Sequence, residues 1–514
     1  MENKYYVYGK NGNYVYVQTT DYNVGHSMNF IFFKDRYNNT KAIVIDCGIS
    51  YKDKNQENLS EEINKNIICD ISKIKAVLIT HAHNDHFGLL PYLVSLGYSG
   101  KIYSSEVVRR EAGTILRDSA KVMSSYGEYY YNNDDIDLAT SMIKPVPCNK
   151  EFEIYNDGEI IVTATGLDNP HLNGAYSWSL LFTKYSYEDI SITFSGDVKK
   201  DNEMFYTEPI PEFIKKRPTT IICESTYGDC IRKKDSEQNF EELVKETYDR
   251  GGNVIIASIA NERAEIILNH LLKMKENNMI PQDTKIFVKG VLLRKLYNII
   301  NNSGDVIKFK EDFCDTSNDI IFMDQGEVLP SQKQYILVVS PGMLGGGASL
   351  EAAFAEAYNE KSMLILTSYV PEKGIAYNIL HTPKGGIYKH TDGRNIKINM
   401  DVRQCKYFSG HADELELMEF IMQFTVVSVL CNHGEQKTIE KFAEDINSIL
   451  KVRAYATSRK KCFRISSHGV DENKILNSKI DVASKTKQSL ERKPKKRKDG
   501  KKKRPSKKSK RNKK

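Results

Sequence analysis

An α/β protein in which one layered domain is interrupted by a second, smaller one is predicted by three features of the sequence. Short apolar runs of strand character close repeatedly on a histidine or a carboxylate, at Asp46, His81, Asp197 and Glu224. From about Cys230 the texture changes to amphipathic helices alternating with short strands, the pattern of a parallel sheet with helices on its faces. After residue 399 the first habit returns, at His411 and His433. The simplest topology is one domain entered twice, over residues 1–229 and 398–475, with an inserted domain over 230–397 and a basic tail over 476–514.

Length supports this division, because 514 residues exceed what one hydrophobic core usually sustains. Apolar content of 40% with 27% charged residues describes a soluble globular chain, and no apolar run is long enough to span a membrane. The opening MENKYYVYGK lacks the apolar core of a secretion signal. Nine cysteines lie scattered without a C-x-x-C pair, which argues against a zinc finger or a disulfide framework. A cytoplasmic, reduced protein is expected. Charge is unevenly divided: residues 485–514 hold 18 Lys/Arg against Glu491 and Asp499, a net +16, and +7 overall less +16 leaves −9 for the body. Such a tail cannot bury a core and is expected to be disordered. It reads as a phosphate-seeking arm for nucleic acid, since an acidic body alone repels a polyanion. The plainer readings are a solubility tail or an address.

Taken in order, residues 5–46 read as short strands (YYVYG, YVYVQTT, NFIFF, AIVID), the last ending in Asp46-Cys47-Gly48. Residues 75–93, KAVLITHAHNDHFGLLPYL, carry the densest signal. A strand ends at Thr80, and His81, His83, Asp85 and His86 follow before an apolar helix. Imidazoles and a carboxylate at i, i+2, i+4 and i+5 on a turning loop can point to one side and hold two adjacent divalent metals. A solvated turn is the ordinary reading of isolated histidines, but it leaves the order His-x-His-x-Asp-His after a strand without a cause. Residues 118–131 are polar and Tyr-rich and read as a surface excursion. Strands resume at 151–165 and lead to Asn169-Pro170-His171; another, 191–194, ends in Ser195-Gly196-Asp197; a third, 220–223, ends in Glu224-Ser225-Thr226-Tyr227-Gly228. Singly, an acidic residue after a strand is a cap or a turn former. In series, such residues are how layered α/β folds gather a site at one sheet edge.

Within the inserted segment, helices are expected over 237–249 and 262–277, and strands over 253–258, 284–288, 335–339 and 362–367. The loop SPGMLGGG, from Ser340 to Gly347, follows a strand and precedes a helix near Ser349, so its backbone N–H groups can face a phosphate. Gly342 is the candidate substrate contact there. The loop lacks the Lys-Ser/Thr of a nucleotide-binding P-loop, which argues against ATP. After Asn399, MDVRQCKYF reads as a strand running into Ser409-Gly410-His411-Ala412-Asp413, and a buried strand over 425–430 ends in Asn432-His433-Gly434-Glu435.

These motifs resemble the metallo-β-lactamase superfamily, and specifically its β-CASP nucleic-acid-processing branch. The resemblance rests on Asp46, the His81-x-His83-x-Asp85-His86 loop, His171 and Asp197, and on Glu224 within ESTYG, His411 within FSGHAD and His433 within NHGE. It places six of the eleven histidines. It implies an αββα sandwich capped by the β-CASP insert, with a cleft between them. It implies two zinc ions: His81, His83 and His171 on one, Asp85, His86 and His433 on the other, and Asp197 bridging. Asp46 and Glu224 orient neighbours, and His411 stands near the leaving oxygen. The look-alikes are the endonuclease subunit of mRNA 3′-end processing and bacterial single-chain relatives. No C-terminal domain like that of RNase J is expected after His433, and no KH-like extension is expected before the body. The segment Glu262-Arg263-Ala264-Glu265 matches the family's Gly-Arg-Ala-Gln-Glu only in part, with Arg263 as its RNA contact. Ser409 is the remaining substrate-binding candidate.

The activity implied is zinc-dependent ribonuclease action, endonucleolytic rather than 5′-exonucleolytic, leaving a 5′-phosphate and a 3′-hydroxyl. Asp46, Asp85, Glu224 and His411 serve catalysis, with His411 oriented by Glu224 as general acid. His433 favours RNA over DNA, because DNA-repair members of the branch typically carry Val there. Two other readings compete: a thioesterase- or lactonase-type hydrolase on the same metal core, and a non-catalytic RNA-binding scaffold. A homodimer is compatible with the resemblance. His26, His270, His381, His390 and His468 take no role, and Cys47 and Cys431 read as buried apolar residues.

Overall fold

The structure is a computed structural model that describes residues 14–20, 25–49, 67–125, 127–184, 187–232, 236–310, 319–324, 326–327, 334–368, 370, 372, 374–459, 461–471 and 476–477. The strand expected at 5–9 and the basic tail over 485–514 lie outside the described residues.

Two sheets stack face to face. The first runs Gly469–Val470, Lys461–Ser466, Val15–Thr19, Asn29–Lys34, Thr40–Ile45, Ile74–Leu78, Lys101–Ser104 and Ile143–Pro145, with Leu476–Asn477 added on Lys461–Ser466. The second runs Ala454–Ala456, Val426–Asn432, Thr219–Glu224, Ile190–Phe194, Ala175–Lys184, Ile160–Asn169 and Glu151–Asn156. Between them Ile31, Phe33, Ile43, Ile45, Ala76 and Leu78 meet Val162, Trp178, Leu180, Ile192, Phe194 and Leu430. The alternate residues Phe30, Phe32, Val44 and Val77 bury the outer face of the first sheet against helices Leu90–Ser95, Glu106–Ser125 and Asn133–Ser141. Helices Glu414–Met422 and Gln436–Asp445 cover the second sheet from outside. Burial on both faces explains why these strands read as unbroken apolar runs. The expected αββα sandwich is present.

Both ends of the chain build it. Lys461–Ser466 pairs antiparallel with Val15–Thr19, and Val426–Asn432 pairs parallel with Thr219–Glu224, so Glu224 sits opposite Asn432. Between these segments lies a six-stranded, all-parallel sheet in the order Ile320–Met323, Ile286–Lys289, Ile336–Val339, Val254–Ala257, Met363–Leu366, Asp401–Gln404.

Two expectations need correction. The strand expected to open the return segment, Asp401–Gln404, pairs instead with Met363–Leu366, so in sheet topology the insert continues past residue 397. Residues 118–125 belong to the helix Glu106–Ser125, whose buried Leu116, Ser119 and Met123 face the core while polar residues face outward. Their polarity is the solvent side of an amphipathic helix.

The insert is fastened to the sandwich. Phe205 and Phe309 bridge antiparallel, with Tyr206 N donating to Lys308 O (2.9 Å) and Lys310 N to Met204 O (2.8 Å). Arg110 grips Asp305 with both terminal nitrogens at 2.7 and 2.6 Å.

Candidate metal centre

Strand Thr40–Ile45 ends at Asp46, which takes a φ of 63°. That turn carries the carboxylate across to the neighbouring strand end. Asp46 Oδ1 accepts from Thr80 N at 2.8 Å, Thr80 Oγ1 donates to the same carboxylate, and Oδ2 lies 2.7 Å from His86 Nδ1. Thr80 Oγ1 also reaches His81 Nδ1 at 3.0 Å. Both histidines thus have Nδ1 engaged and Nε2 turned to the centre, as metal-binding imidazoles are oriented by a partner on their other nitrogen. Backbones approach closely here: a Cβ on Gly48 would lie 1.6 Å from Asp85 O, so only glycine fits.

The loop bearing His171 follows strand Ile160–Asn169. Asn169 Nδ2 donates to the carbonyls of Ser195 (3.0 Å) and Asp197 (2.8 Å), and its Oδ1 accepts from His171 N (2.9 Å). One amide therefore ties the His171 loop to the Asp197 loop. His171 Nδ1 lies 2.5 Å from Gly410 O, which places its proton on Nδ1.

These elements bring the expected ligands together. His81, His83, His171 and Asp197 present ligand atoms within 4.8 Å of one another, and Asp85, His86 and His433 form a second such group. Asp197 stands between them. Its Oδ2 is 3.7 Å from His81 Nε2 and 3.6 Å from His171 Nε2, and its Oδ1 is 3.2 Å from His86 Nε2 and 3.3 Å from His433 Nδ1.

The donor set fits metal. Nε2 of His83, His86 and His433, and Oδ1 of Asp197, are buried without a hydrogen-bond partner. His86 Nε2 and Asp197 Oδ1 are close yet not in hydrogen-bonding geometry, as two ligands of a common ion are. Orphaned buried polar atoms are costly, and a divalent cation satisfies imidazole and carboxylate lone pairs together. Burial holds His83 down to about 4, and burial with neighbouring imidazoles holds His81 well below the usual histidine range. Burial also lowers His171 strongly, outweighing the attraction of Asp197. Neutral imidazole is the ligand form. His86 behaves oppositely: burial lowers it, but Asp197 and Asp46 outweigh that and raise it well above the ordinary value.

His411 and Asp85 mark the open side, their side chains 19% and 28% exposed while the Asp197 side chain is 2% exposed. His411 Nδ1 lies 3.0 Å from Glu224 Oε2, and Nε2 is 3.7 Å from Asp197 Oδ2. Burial lowers His411, but Glu224 first and Asp197 next lift it to about 9. Glu224 is held in turn, its Oε1 accepting from Val198 N and its own N–H donating to Ser195 Oγ (2.9 Å).

Of the substrate-binding candidates, Ser409 accepts from His411 N at 3.3 Å and so shapes the histidine's turn. Arg263 donates to Thr367 O at 3.2 Å and lies against Gly410, where an added Cβ would be 3.2 Å from its Nη2 and from His171 Cε1. It has no carboxylate within ion-pair distance among the described residues. A Cβ on Gly342 would meet Ser368 Oγ at 2.1 Å and Ile259 N at 3.0 Å, so its lack of a side chain serves close packing. Sequence reasoning missed Thr80, Asn169, Ser195 and the Gly410 carbonyl. The signal for the first three was their place at strand ends beside a ligand; a carbonyl leaves none.

Two metal-type ligand groups sharing one carboxylate at the sheet edge of an αββα sandwich define a metal-dependent hydrolase. Family comparison agrees: the metallo-beta-lactamase superfamily matches residues 28–174, and the Zn-dependent metallo-hydrolase RNA specificity domain matches residues 395–457. The chain thus carries a metallo-β-lactamase domain together with an RNA specificity domain of Zn-dependent metallo-hydrolases. Among similar proteins, the transcription termination factor FttA of Methanosarcina mazei is 24% identical over 450 residues, 82% of this chain and 68% of that one. The probable RNase MJ4 of Methanocaldococcus jannaschii is 28% identical over 406 residues, 77% of this chain and 88% of that one. Integrator complex subunit 11 of Gallus gallus is 28% identical over 428 residues, 81% of this chain and 68% of that one. Among the described residues no helix is long and apolar enough to cross a membrane.

Proposed function

We propose that this protein is a zinc-dependent ribonuclease that hydrolyses RNA phosphodiesters, internally rather than from a 5′ end, and leaves a 5′-phosphate and a 3′-hydroxyl. The observation that carries this reading is the meeting of His83, from the early loop, with His433, from the late one, around Asp197. His81, His83 and His171 would hold one zinc, Asp85, His86 and His433 the other, with Asp197 shared. When bound, such ions supply a water ionised near neutral pH and neutralise charge on the phosphate oxygens.

The chain's own residues supply the rest. His411 is held through Nδ1 by Glu224, so its Nε2 faces the site and, when protonated, carries the proton for the departing 3′-oxygen. Glu224 favours the imidazolium by charge and fixes the ring by geometry. Asp46 acts through Thr80 and His86, keeping two imidazoles turned inward. Arg263, beside Gly410 and without a carboxylate partner among the described residues, would meet a phosphate flanking the cleavage point. The tail, net +16 on a body of −9, adds counterion-releasing contacts to the RNA backbone.

One RNA carrying a 5′ label, a 3′ label, or closed into a circle tests the reading, with zinc content measured on the same preparation. Internal cuts that linearise the circle and leave 5′-phosphates are expected. A circle that survives excludes endonuclease action, and hydrolysis of thioesters or lactones with all RNAs intact would replace the ribonuclease reading.

A further inference from the structure

Glu262 begins the insert's helix Arg263–Glu276 at φ 60° and ψ −43°, a region that a side-chain-bearing residue occupies only at a cost. The pattern this segment resembles carries glycine there, which adopts such a backbone freely. The glutamate is 2% exposed, and burying a carboxylate is a second cost. Both costs are met at one place, so the contacts made there are specific.

Both oxygens of Glu262 reach across to the sandwich domain. Oε2 accepts from Asn173 N at 2.5 Å, and Oε1 accepts from Asn202 Nδ2. Asn202 Nδ2 also donates to Pro170 O at 3.0 Å. Pro170 and Asn173 flank His171, so one carboxylate from the insert holds one end of the turn that carries this candidate ligand directly and the other end through Asn202. The imidazole itself is held by Gly410 O through Nδ1.

We propose that Glu262 is a positioning residue through which the inserted domain sets the His171 turn, so that metal held by His81, His83 and His171 depends on this contact. The inference rests on the metallo-hydrolase reading above. It assigns the insert a part in building the metal centre, in addition to covering the cleft. Glu262 acts on the ligand through Asn173 and Asn202 and touches no reacting group.

The test uses the full chain loaded with zinc, zinc release to a chromophoric chelator, and thermal unfolding of each variant. Glu262→Gly removes both acceptors while relieving the backbone. Glu262→Gln keeps the volume but turns an amide N–H toward one of the two donors. Arg110→Ala breaks another tie between insert and sandwich, to Asp305, that touches no ligand loop. Affinity for one of the bound zinc ions should fall about tenfold or more in Glu262→Gly and by less in Glu262→Gln, and should stay within about twofold of wild type in Arg110→Ala. The inference is overturned if both folded Glu262 variants release zinc like wild type, or if Arg110→Ala releases it as readily as Glu262→Gly. If Glu262→Gly does not fold, Glu262→Gln decides alone, and wild-type release overturns the proposal. A wild-type chain that takes up no zinc refutes the metallo-hydrolase reading itself.

Discussion

Replacing Glu224 by Gln tests how the proton donor is made. The carboxylate is 1% exposed and lies 3.0 Å from His411 Nδ1, so it is the first cause raising this imidazole against the pull of burial. Glutamine keeps the size and can still accept from Val198 N, but it removes the charge and can offer His411 an N–H where an acceptor stood. His411 starts from about 9 against an ordinary 6.5, and loss of its largest raising cause moves it down. A general acid works while protonated, so the rate is full below its pKa and falls as pH rises through it. A downward move of about two units would cost roughly tenfold in kcat near pH 8, at about 1.4 kcal/mol per unit. His411→Ala removes the acid outright and should cost on the order of 10²–10⁴ in kcat. The decisive measurement is the double variant, assayed on single-stranded RNA at saturation with zinc content checked. If Glu224 acts through His411, Glu224→Gln costs nothing further once His411 is alanine. Additive losses, or a basic limb that does not move in Glu224→Gln, would refute the argument.

Other consequences follow from the same contacts. Asp46→Ala frees Thr80 and His86 together, and zinc affinity by chelator competition should fall about 10–100-fold; unchanged affinity would remove Asp46 from the orienting shell. Trp178→Ala empties the space between the two sheets and loses the indole bond to Ile79 O, so urea unfolding should show a loss of about 3–5 kcal/mol. Burial pushes Glu111 up to about 8 from 4.5, so the fold keeps a proton that the unfolded chain has released. That contribution is complete below about 4.5 and is lost as pH rises to about 8. Glu111→Gln should flatten the fall in unfolding free energy over this window, and an unchanged slope would count against it.

Much of the site was legible before any coordinates. His81, His83, Asp85 and His86 follow one strand directly, and Asp46, Asp197 and Glu224 each close another, so residue type and local spacing were enough to single them out. The αββα layering was legible through the resemblance, and the parallel insert through its helix–strand alternation. Local pattern failed where one face of an element misled. Residues 118–131 read as a surface excursion because 118–125 show the polar side of a helix, and Asp401–Gln404 was assigned by its neighbours in sequence although its edge partner is Met363–Leu366.

By itself the chain's order of residues determined which chemistry is present: imidazoles and carboxylates at strand ends, an acidic body with a basic extension, and a domain entered twice. Ligand type is a property of single side chains, and a strand's end is marked by the few residues around it. Tertiary structure alone decided how these groups are held. Asn169 joining the His171 and Asp197 loops, Gly410 O meeting His171, and Glu262 reaching Asn173 and Asn202 all link residues far apart in sequence. Hydrogen bonds act over about 3 Å whatever the distance along the chain, so such partners become visible only when the fold has brought them together.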